Sequence, residues 1–279
     1  MTAERKATCT LCPHHCQLAP GAVGFCRARE NVDGTIIDRN YGLLTSLALD
    51  PIEKKPLRRF HPGSVILSAG SFGCNLRCPF CQNASISQVG EEAARWKVLP
   101  RQLLQLALEY REKAGNIGVA FTYNEPLVGY EYVRDCCKLL KENGLATVLV
   151  TNGCIEPAAW QDLLPLIDAA NIDLKGFTPE FYEWLQGDLE TVKTNIQRAV
   201  AAGCHVEVTT LLIPGRNDSD EQMEREAGWL AGLSPDLPLH LSRYFPRWQL
   251  TTPATPVPTV YHLANVARKY LKYVYEGNC

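Results

Sequence analysis

The sequence predicts an α/β protein, a partial (β/α)6 barrel that follows an N-terminal cysteine-rich lobe. From residue 65 onward, short apolar runs alternate with longer amphipathic runs, a pattern typical of parallel strands joined by helices. Six such units can be counted, fewer than the eight of a closed barrel. Residues 1–64 lack this alternation. We therefore expect two domains, residues 1–64 and 65–279.

Each of the six predicted strands ends in polar residues. The strands begin at Val65, Ile117, Ala146, Ala170, His205 and Pro238. The polar ends of parallel barrel strands gather at one mouth, where such folds carry their chemistry. Within the N-terminal region, the segment YGLLTSLALDP at residues 41–51 predicts a hairpin or an edge strand.

Three helices are predicted by apolar stripes of helical period, each followed by a glycine that can end the helix in the left-handed conformation. The stripes and their glycines are Leu103, Leu106, Ala107 and Tyr110 before Gly115; Val133, Cys136, Cys137 and Leu140 before Gly144; and Val192, Ile196, Ala199 and Val200 before Gly203. Reduced cysteine packs as a small apolar residue. Cys136 and Cys137 are therefore expected in the core and not as ligands.

The composition limits the function classes. With 28 basic and 30 acidic residues the net charge is -2, so no overall positive field attracts nucleic acid. The first residues lack a secretory pattern, and no run of about 18 apolar residues occurs, so we expect a cytoplasmic protein without a membrane partner. Twelve cysteines in such a chain indicate metal or redox chemistry more than disulfides.

Three cysteines form a compact motif directly after the first predicted strand. In SFGCNLRCPFCQN, Cys74, Cys78 and Cys81 have the spacing C-x3-C-x2-C. Thiolates are soft ligands, and this spacing lets one loop wrap an iron–sulfur cluster. Three ligands leave one position open, as a catalytic metal site requires. The alternative is a structural zinc site completed by a distant cysteine or histidine.

Four further cysteines lie near the N-terminus. Cys9, Cys12, Cys16 and Cys26 have the spacing C-x2-C-x3-C-x9-C, which suits a closed zinc site or a second iron–sulfur cluster. The segment has few apolar residues, so a metal would supply folding free energy that burial cannot. The alternative is a set of reduced cysteines in an arm packed on the barrel. We predict a second metal centre, separate from the three-cysteine loop.

The three-cysteine motif, with aromatic Phe80 before its last cysteine, resembles the signature of the radical S-adenosylmethionine (SAM) superfamily. The motifs YNEP, TNG and DLKG, which end the second, third and fourth predicted strands, extend the resemblance over residues 65–244. It is greatest for activating enzymes of glycyl-radical enzymes such as pyruvate formate-lyase. With CTLCPHHCQL, GAVGFCRARENVDG and DPIEKKPLRRFHPGS included, the chain resembles, almost end to end, radical SAM enzymes of the AmmeMemoRadiSam system.

The resemblance implies a partial TIM barrel of the radical SAM type, with a [4Fe–4S] cluster on Cys74, Cys78 and Cys81. SAM would bind the open iron and be cleaved reductively to a 5′-deoxyadenosyl radical that abstracts hydrogen from a substrate. An electron donor such as flavodoxin or ferredoxin is implied. Further implied partners are the Memo-like and AMMECR-like proteins after which the system is named, or a glycyl-radical enzyme.

The resemblance also implies a set of cofactor contacts. The candidates are Phe80, Asn124, Glu125, Thr151, Asn152, Asp173, Lys175, Thr210, Leu212 and Arg243. Asn124 and Glu125 would accept hydrogen bonds from the methionyl ammonium group of SAM, although a polar pair before proline is often only a turn. Asp173 and Lys175 would contact the ribose hydroxyls and the carboxylate of SAM, unless they form a simple ion pair.

The remaining candidates have similar alternatives. Thr151 and Asn152 are similar candidates for contacts with SAM. Thr210 and Leu212 would offer apolar and backbone contacts to adenine. Arg243 would hold a carboxylate, or it is a solvent-exposed arginine. The six histidines form no ligand cluster in the sequence: His14 and His15 lie in the first cysteine motif and the other four lie far apart, and most are expected to be structural. The basic stretch at residues 53–61 is expected to be solvated surface.

Three functions remain open from the sequence. The first is an AmmeMemoRadiSam-type enzyme whose substrate is unidentified. The second is an activating enzyme that installs a glycyl radical on a partner protein. The third, from another class, is a non-catalytic iron–sulfur electron carrier or a metal-stabilised binding module. Six βα units with polar ends exceed what electron transfer alone needs, and a carrier would form no 5′-deoxyadenosine.

Overall fold

A computed structural model describes residues 5–279. The strands are β1 (Ala7–Thr8), β2 (Gln17–Leu18), β3 (Arg29–Val32), β4 (Thr35–Asp38), β5 (Leu43–Leu44), β6 (Ser46–Pro51), β7 (Val65–Gly70), β8 (Trp96–Lys97), β9 (Asn116–Phe121), β10 (Ala146–Thr151), β11 (Ala169–Asp173), β12 (His205–Leu212), β13 (Leu239–Arg243) and β14 (Val274–Gly277). The α-helices are α1 (Ala84–Ser87), α2 (Pro100–Ala114), α3 (Tyr130–Glu142), α4 (Pro157–Leu163), α5 (Pro179–Trp184), α6 (Leu189–Ala201), α7 (Asp220–Leu233) and α8 (Val257–Ala267).

The main sheet has eight strands in the order β14-β13-β12-β11-β10-β9-β7-β6. Strands β7 and β9 to β14 run parallel, and β6 pairs antiparallel with β7. Across the part of the chain that the structure describes, the edge strands β6 and β14 do not pair with each other, so the barrel is open. Helices α2, α3, α4, α6, α7 and α8 supply the crossovers, which confirms the predicted (β/α)6 arrangement.

The predicted strands agree with the observed ones to within two residues at their starts, and the polar motifs follow the strand ends. Residues 41–51 contain the expected edge strand, β6. Strand β14 was not predicted. Because β6 belongs to the main sheet, the sheet begins before residue 65, and the domain division at that residue stays a prediction.

The helix predictions are confirmed at the helix ends and for most of the buried faces, but Tyr110 of the predicted α2 stripe is exposed. Cys136 and Cys137 are buried in the layer between α3 and the sheet. Gly115, Gly144 and Gly203 have φ angles of 70°, 63° and 76°, in the left-handed region where glycine carries no steric penalty. The amphipathic pattern therefore determined both the buried face and the termination of these helices.

The segment between β6 and β7 closes the N-terminal end of the barrel. Leu57 is fully buried and packs with Ile52, Ile66, Ala120, Val148 and Ala169. Lys55 is only 2% exposed and donates a hydrogen bond to Asp50 Oδ2 at 2.9 Å. The expectation that residues 53–61 are solvated surface is therefore wrong for the middle of the segment, because its apolar and paired residues fill the barrel floor.

Glu207 on β12 fixes this segment to the floor. Its buried carboxylate accepts hydrogen bonds from the backbone N–H groups of Arg58 and Arg59 at 3.0 and 2.7 Å. It also contacts Nε2 of His205 at 2.9 Å and Nε2 of His240 at 2.6 Å. Burial alone would raise the pKa of Glu207, but these hydrogen bonds outweigh it and lower the pKa to about 2. Two histidines distant in sequence thus share one structural carboxylate.

Among residues 5–279, no helix has both the length and the apolar character needed to cross a membrane.

Candidate cluster and cofactor site

The three-cysteine motif forms the loop that leaves the C-terminal end of β7. Burial is the main cause that raises the pKa of Cys78, to about 12, although the charge of Lys175 opposes it. Burial, followed by repulsion from Cys78, raises the pKa of Cys74 well above its ordinary value. Thiols in such surroundings ionise when a metal supplies positive charge, so this donor set fits an iron–sulfur cluster. Cys74, Cys78 and Cys81 would be its ligands.

Polar hydrogens surround the sulfur atoms of the loop. The N–H of Leu76 lies 3.3 Å from Cys74 Sγ, and Asn152 Nδ2 lies 3.7 Å from the same sulfur. Ser87 Oγ lies 3.1 Å from Cys81 Sγ. Hydrogen bonds to ligand sulfurs orient the ligands and tune the metal centre. Ser87 was missed by the sequence analysis, because its contact depends on the turn of α1 behind the loop.

Asn124 holds the loop in place. Its Oδ1 accepts a hydrogen bond from the N–H of Ser71 at 3.0 Å, and its Nδ2 donates to the carbonyls of Phe72 and Gly73 at 3.2 and 3.1 Å. Both ends of the carboxamide are thus engaged with the backbone that leads to Cys74. The contact of Asn124 with SAM stays a prediction, and the hydrogen bonds of its carboxamide position the cysteine loop.

Glu125, Thr151 and Asn152 meet, as their positions at adjacent strand ends predicted. Glu125 Oε1 accepts a hydrogen bond from Thr151 Oγ1 at 2.8 Å, and Oε2 accepts one from the N–H of Asn152 at 2.7 Å. Glu125 is only 3% exposed. Burial raises its pKa to about 7 despite these hydrogen bonds. The carboxylate therefore joins the ends of β9 and β10 next to the cysteine loop.

Asp173 and Lys175 lie at the end of β11. Lys175 Nζ is 2.9 Å from Asp173 Oδ2, and both side chains are partly exposed, at 19% and 31%. Leu174 is fully buried on the opposite side, which confirms the predicted alternation. The ion pair exists, and it lies close enough to Cys78 for both charges to shift the pKa of that thiol.

The side chains of Thr210 and Leu212 do not point into the barrel mouth. Thr210 Oγ1 hydrogen bonds to the Leu174 carbonyl at 2.9 Å and to the buried Glu226 of α7. Leu212 is fully buried in the layer between the sheet and the helices. The two residues alternate along β12, so both side chains point to the same face of the sheet, toward the helices. Contacts from their side chains to adenine are therefore not supported, whereas Leu211, of the opposite parity, is partly exposed.

Phe80 and Arg243 are engaged in packing. Phe80 is buried, with its ring centroid 5.6 Å from that of Trp184. Arg243 Nε donates to the Thr255 carbonyl at 2.7 Å, and its guanidinium lies 4.6 Å from the centroid of Phe245. Arg243 thus stabilises the loop after β13, and among the described residues its side chain makes no hydrogen bond to the cysteine loop.

Asn75 is a functional candidate that the sequence analysis missed. Its Oδ1 accepts a hydrogen bond from Asn152 Nδ2 at 2.9 Å, its Nδ2 donates to the Cys154 carbonyl at 2.5 Å, and its own carbonyl contacts His14 Nε2 at 2.9 Å. The residue thereby connects the cysteine loop with β10 and with the N-terminal lobe. Its position in the sequence between Cys74 and Cys78 could have identified it as a candidate.

The four N-terminal cysteines surround an enclosed cavity of about 20 Å³ that Asn75 and Glu125 also line. Burial is the main cause that raises the pKa of Cys12 to about 12 and that of Cys26 to about 11. Among residues 5–279, no three histidine, cysteine, aspartate or glutamate side chains are arranged as ligands of a single metal ion. The four thiols are therefore neighbours without a ready-made ion geometry.

The N-terminal lobe contacts the three-cysteine loop directly, which corrects the expectation of a separate lobe. The carbonyl of Cys26 accepts a hydrogen bond from the N–H of Cys74 at 3.2 Å. Gly73 has a φ of 89°, and a Cβ atom there would lie 2.4 Å from the Cys26 oxygen. Only glycine permits this approach. Sequence spacing carried no information about this contact.

Residues 70–227 match the model of the Radical SAM superfamily. The match covers more than half of the chain, and the fold, the cysteine loop and the strand-end residues agree with it. The chain belongs to the Radical SAM superfamily and is a radical SAM enzyme. Membership implies a [4Fe–4S] cluster and SAM as cofactors.

Two relatives show how far the sequence similarity extends along the chain. The chain is 38% identical over 279 residues to the uncharacterized protein MJ0808 of Methanocaldococcus jannaschii, covering 99% of the chain and 82% of that protein. It is 27% identical over 157 residues to the pyruvate formate-lyase-activating enzyme of Clostridium pasteurianum, covering 56% of the chain and 65% of that enzyme. The chain thus matches less than two thirds of the activating enzyme.

A solved structure supports the fold. A radical SAM methyltransferase from Sphaerobacter thermophilus superposes with a TM-score of 0.60 at 20% identity, over 78% of this chain and 67% of that one. At this identity the likeness shows the fold alone.

The Asp173–Lys175 pair leads to a prediction about SAM binding. We expect Asp173→Asn to weaken SAM binding by about tenfold while the iron content stays unchanged, since its carboxylate is predicted to contact SAM and not the metal. Equilibrium binding and iron analysis of the reconstituted protein measure both. Asp236→Asn is the matched control, because Asp236 forms a similar pair with Lys272 on the surface. Equal SAM affinity in Asp173→Asn and wild type would remove Asp173 from the binding site.

Proposed function

We propose that this chain cleaves SAM reductively to a 5′-deoxyadenosyl radical, which abstracts hydrogen from an unidentified substrate, as an AmmeMemoRadiSam-type enzyme. One observation supports this most strongly. The three thiols of one loop lie at the strand ends beside the Glu125 network and the Asp173–Lys175 pair. When bound, the cluster supplies the electron for SAM cleavage. The protein's own residues supply ligand geometry, orientation and exclusion of water.

The strand-end residues divide these tasks. Asn124 holds the loop backbone. Glu125 is proposed to accept hydrogen bonds from the methionyl ammonium group of SAM, in exchange for one of its present donors. Asp173 and Lys175 are proposed to contact the ribose hydroxyls and the carboxylate of SAM. Thr151 and Asn152 position Glu125, through hydrogen bonds of 2.8 and 2.7 Å.

The AmmeMemoRadiSam assignment is supported by a resemblance that includes the N-terminal cysteine segments. The similarity to MJ0808 covers 99% of the chain and therefore includes this lobe, whereas the match to the activating enzyme covers 56%. Memo-like and AMMECR-like proteins are the proposed partners, with an electron donor such as flavodoxin or ferredoxin. A cytoplasmic location stays a prediction.

A second candidate function is the activation of a glycyl-radical enzyme. The similarity to the pyruvate formate-lyase-activating enzyme of Clostridium pasteurianum favours it. In that case the radical would remove hydrogen from a backbone glycine of a partner protein. Electron paramagnetic resonance after incubation with a candidate partner, SAM and a reductant separates the two functions. A glycine-centred radical supports activation, and turnover of a small molecule without that radical supports the first proposal.

The first test of the proposed function is anaerobic reconstitution with iron, sulfide, SAM and dithionite. We expect wild-type protein to form 5′-deoxyadenosine. Cys78→Ala should form none, because a loop with only two thiolates does not retain the cluster. Cys204→Ala is the control, since Cys204 is a partly buried cysteine that precedes β12 at the opposite end of the barrel. Chromatography of the products measures this. Full 5′-deoxyadenosine formation by Cys78→Ala would contradict the assignment.

We also propose that Cys9, Cys12, Cys16 and Cys26 bind a second metal centre, either zinc or an iron–sulfur cluster. Four thiols that face one enclosed cavity meet the ligand number of both. The volume of about 20 Å³ has room for about one water-sized particle, which favours an ion. Formation of a site of either kind requires the thiols to move toward one another.

Metal analysis tests the second centre. We expect Cys12→Ser to lose either its zinc or the iron in excess of one [4Fe–4S] cluster, while the three-cysteine loop keeps its iron. Cys12 is the informative position because, unlike Cys26, it makes no backbone hydrogen bond to that loop. Cys279→Ser, at an exposed cysteine, is the control. Equal zinc and iron in Cys12→Ser and wild type would reject the second centre.

A further inference from the structure

An open groove of about 480 Å³ borders the three-cysteine loop. Its walls are Arg27, Arg77, Pro79, Gln88, Trp184, Gln186, Trp248 and Gln249. Pro79 lies between the proposed ligands Cys78 and Cys81, and Arg27 directly follows Cys26 of the N-terminal lobe. The groove therefore borders both cysteine groups.

The groove carries positive charge that the chain does not neutralise. Arg77 donates hydrogen bonds to the carbonyls of Cys74 and Leu76, both at 3.0 Å, and the ring of Phe25 lies 3.8 Å below its guanidinium. Within residues 5–279, neither Arg27 nor Arg77 forms a salt bridge. Burial, followed by the charge of Arg27, lowers the pKa of Arg77. In a chain of net charge -2, this cationic site is local.

Gln88 adds an unpaired acceptor to the groove. The side chain is 8% exposed, and its Nε2 donates to the Leu76 carbonyl at 3.1 Å. Its Oε1 is buried and has no hydrogen-bond partner among the residues that the structure describes. Buried polar atoms are nearly always paired, so this acceptor is an unfilled hydrogen-bonding position behind the groove wall.

Two tryptophans complete the surface. Trp248 is 44% exposed and has a φ of 49°, an uncommon conformation for a bulky residue. The guanidinium of Arg216 lies 4.5 Å from the ring centroid of Trp184 and adds a further cation at the rim. Tryptophan and arginine are the residue types most enriched at energetically important protein contacts. The groove therefore has the composition of a protein-docking surface.

We propose that this groove docks an acidic electron-donor protein, an inference that rests on the proposed radical SAM function. Carboxylates of the donor pair with Arg27 and Arg77. The location favours an electron donor over a substrate protein, because Pro79 belongs to the cluster loop itself. One electron would pass from the reduced donor to the cluster that Cys74, Cys78 and Cys81 would hold, so the donor would be oxidised by one electron, the cluster reduced by one electron, and no covalent bond would change.

The experiment compares Arg27→Glu with wild type, using a flavodoxin of negative net charge as the probe. Arg27 makes no side-chain hydrogen bond within residues 5–279, so its replacement removes charge without breaking a structural contact. We expect the affinity of the reconstituted protein for flavodoxin to fall at least tenfold at low ionic strength. Added salt should weaken wild-type binding in the same direction, because exposed charge pairs are screened. Arg27→Lys should bind nearly as wild type.

Rates of 5′-deoxyadenosine formation provide the second measurement. Arg27→Glu should lower the rate driven by reduced flavodoxin about tenfold, and leave the rate driven by dithionite within twofold of wild type. Arg101→Glu is the matched control, since Arg101 is an exposed arginine of α2, without a salt bridge in the described chain. Unchanged flavodoxin affinity in Arg27→Glu would overturn the docking surface, as would equal loss with both reductants. Absence of 5′-deoxyadenosine from wild type with dithionite would instead overturn the proposed function, and the binding measurement would still decide the docking surface.

Discussion

The hydrogen bonds between the Asn124 carboxamide and the backbone of residues 71–73 are the constraint on which the site depends. A loop that must present three thiols cannot satisfy its backbone through a strand ladder, so the polar groups need partners from elsewhere. Asn124 supplies them from the end of the neighbouring strand. The Cys26 carbonyl supplies another at Cys74. These hydrogen bonds thus hold the loop in position without a bound cluster.

The same strand ends connect the loop to the rest of the mouth. Glu125 joins Thr151 and Asn152, and Asn152 reaches both Asn75 and the sulfur of Cys74. Replacement of one member of such a network affects its neighbours, because buried polar groups that lose a partner carry a desolvation cost. We therefore expect substitutions at Glu125 to change the geometry of the loop as well as the affinity for SAM.

Residue patterns predicted the parallel strands, the helix ends and the three-cysteine loop, since these depend on local periodicity and spacing. They could not predict that Asn124 turns toward the loop, because amide orientation depends on which backbone atoms remain unpaired after folding. Thr210 was assigned to the mouth by its strand, yet its parity directs it to Glu226. Similarly, His205 and His240 meet only because β12 and β13 are neighbours in the sheet. Contacts between distant segments set these outcomes.

The central claim is that three thiols at the strand ends hold a cluster with one position open to SAM. Electron paramagnetic resonance of the reduced, reconstituted wild-type protein, recorded with and without SAM, tests it most directly. The account predicts a cluster signal whose g values change when SAM is added, because SAM is proposed to bind at the open position beside Glu125 and Asp173. A cluster signal that is identical with and without saturating SAM would contradict it.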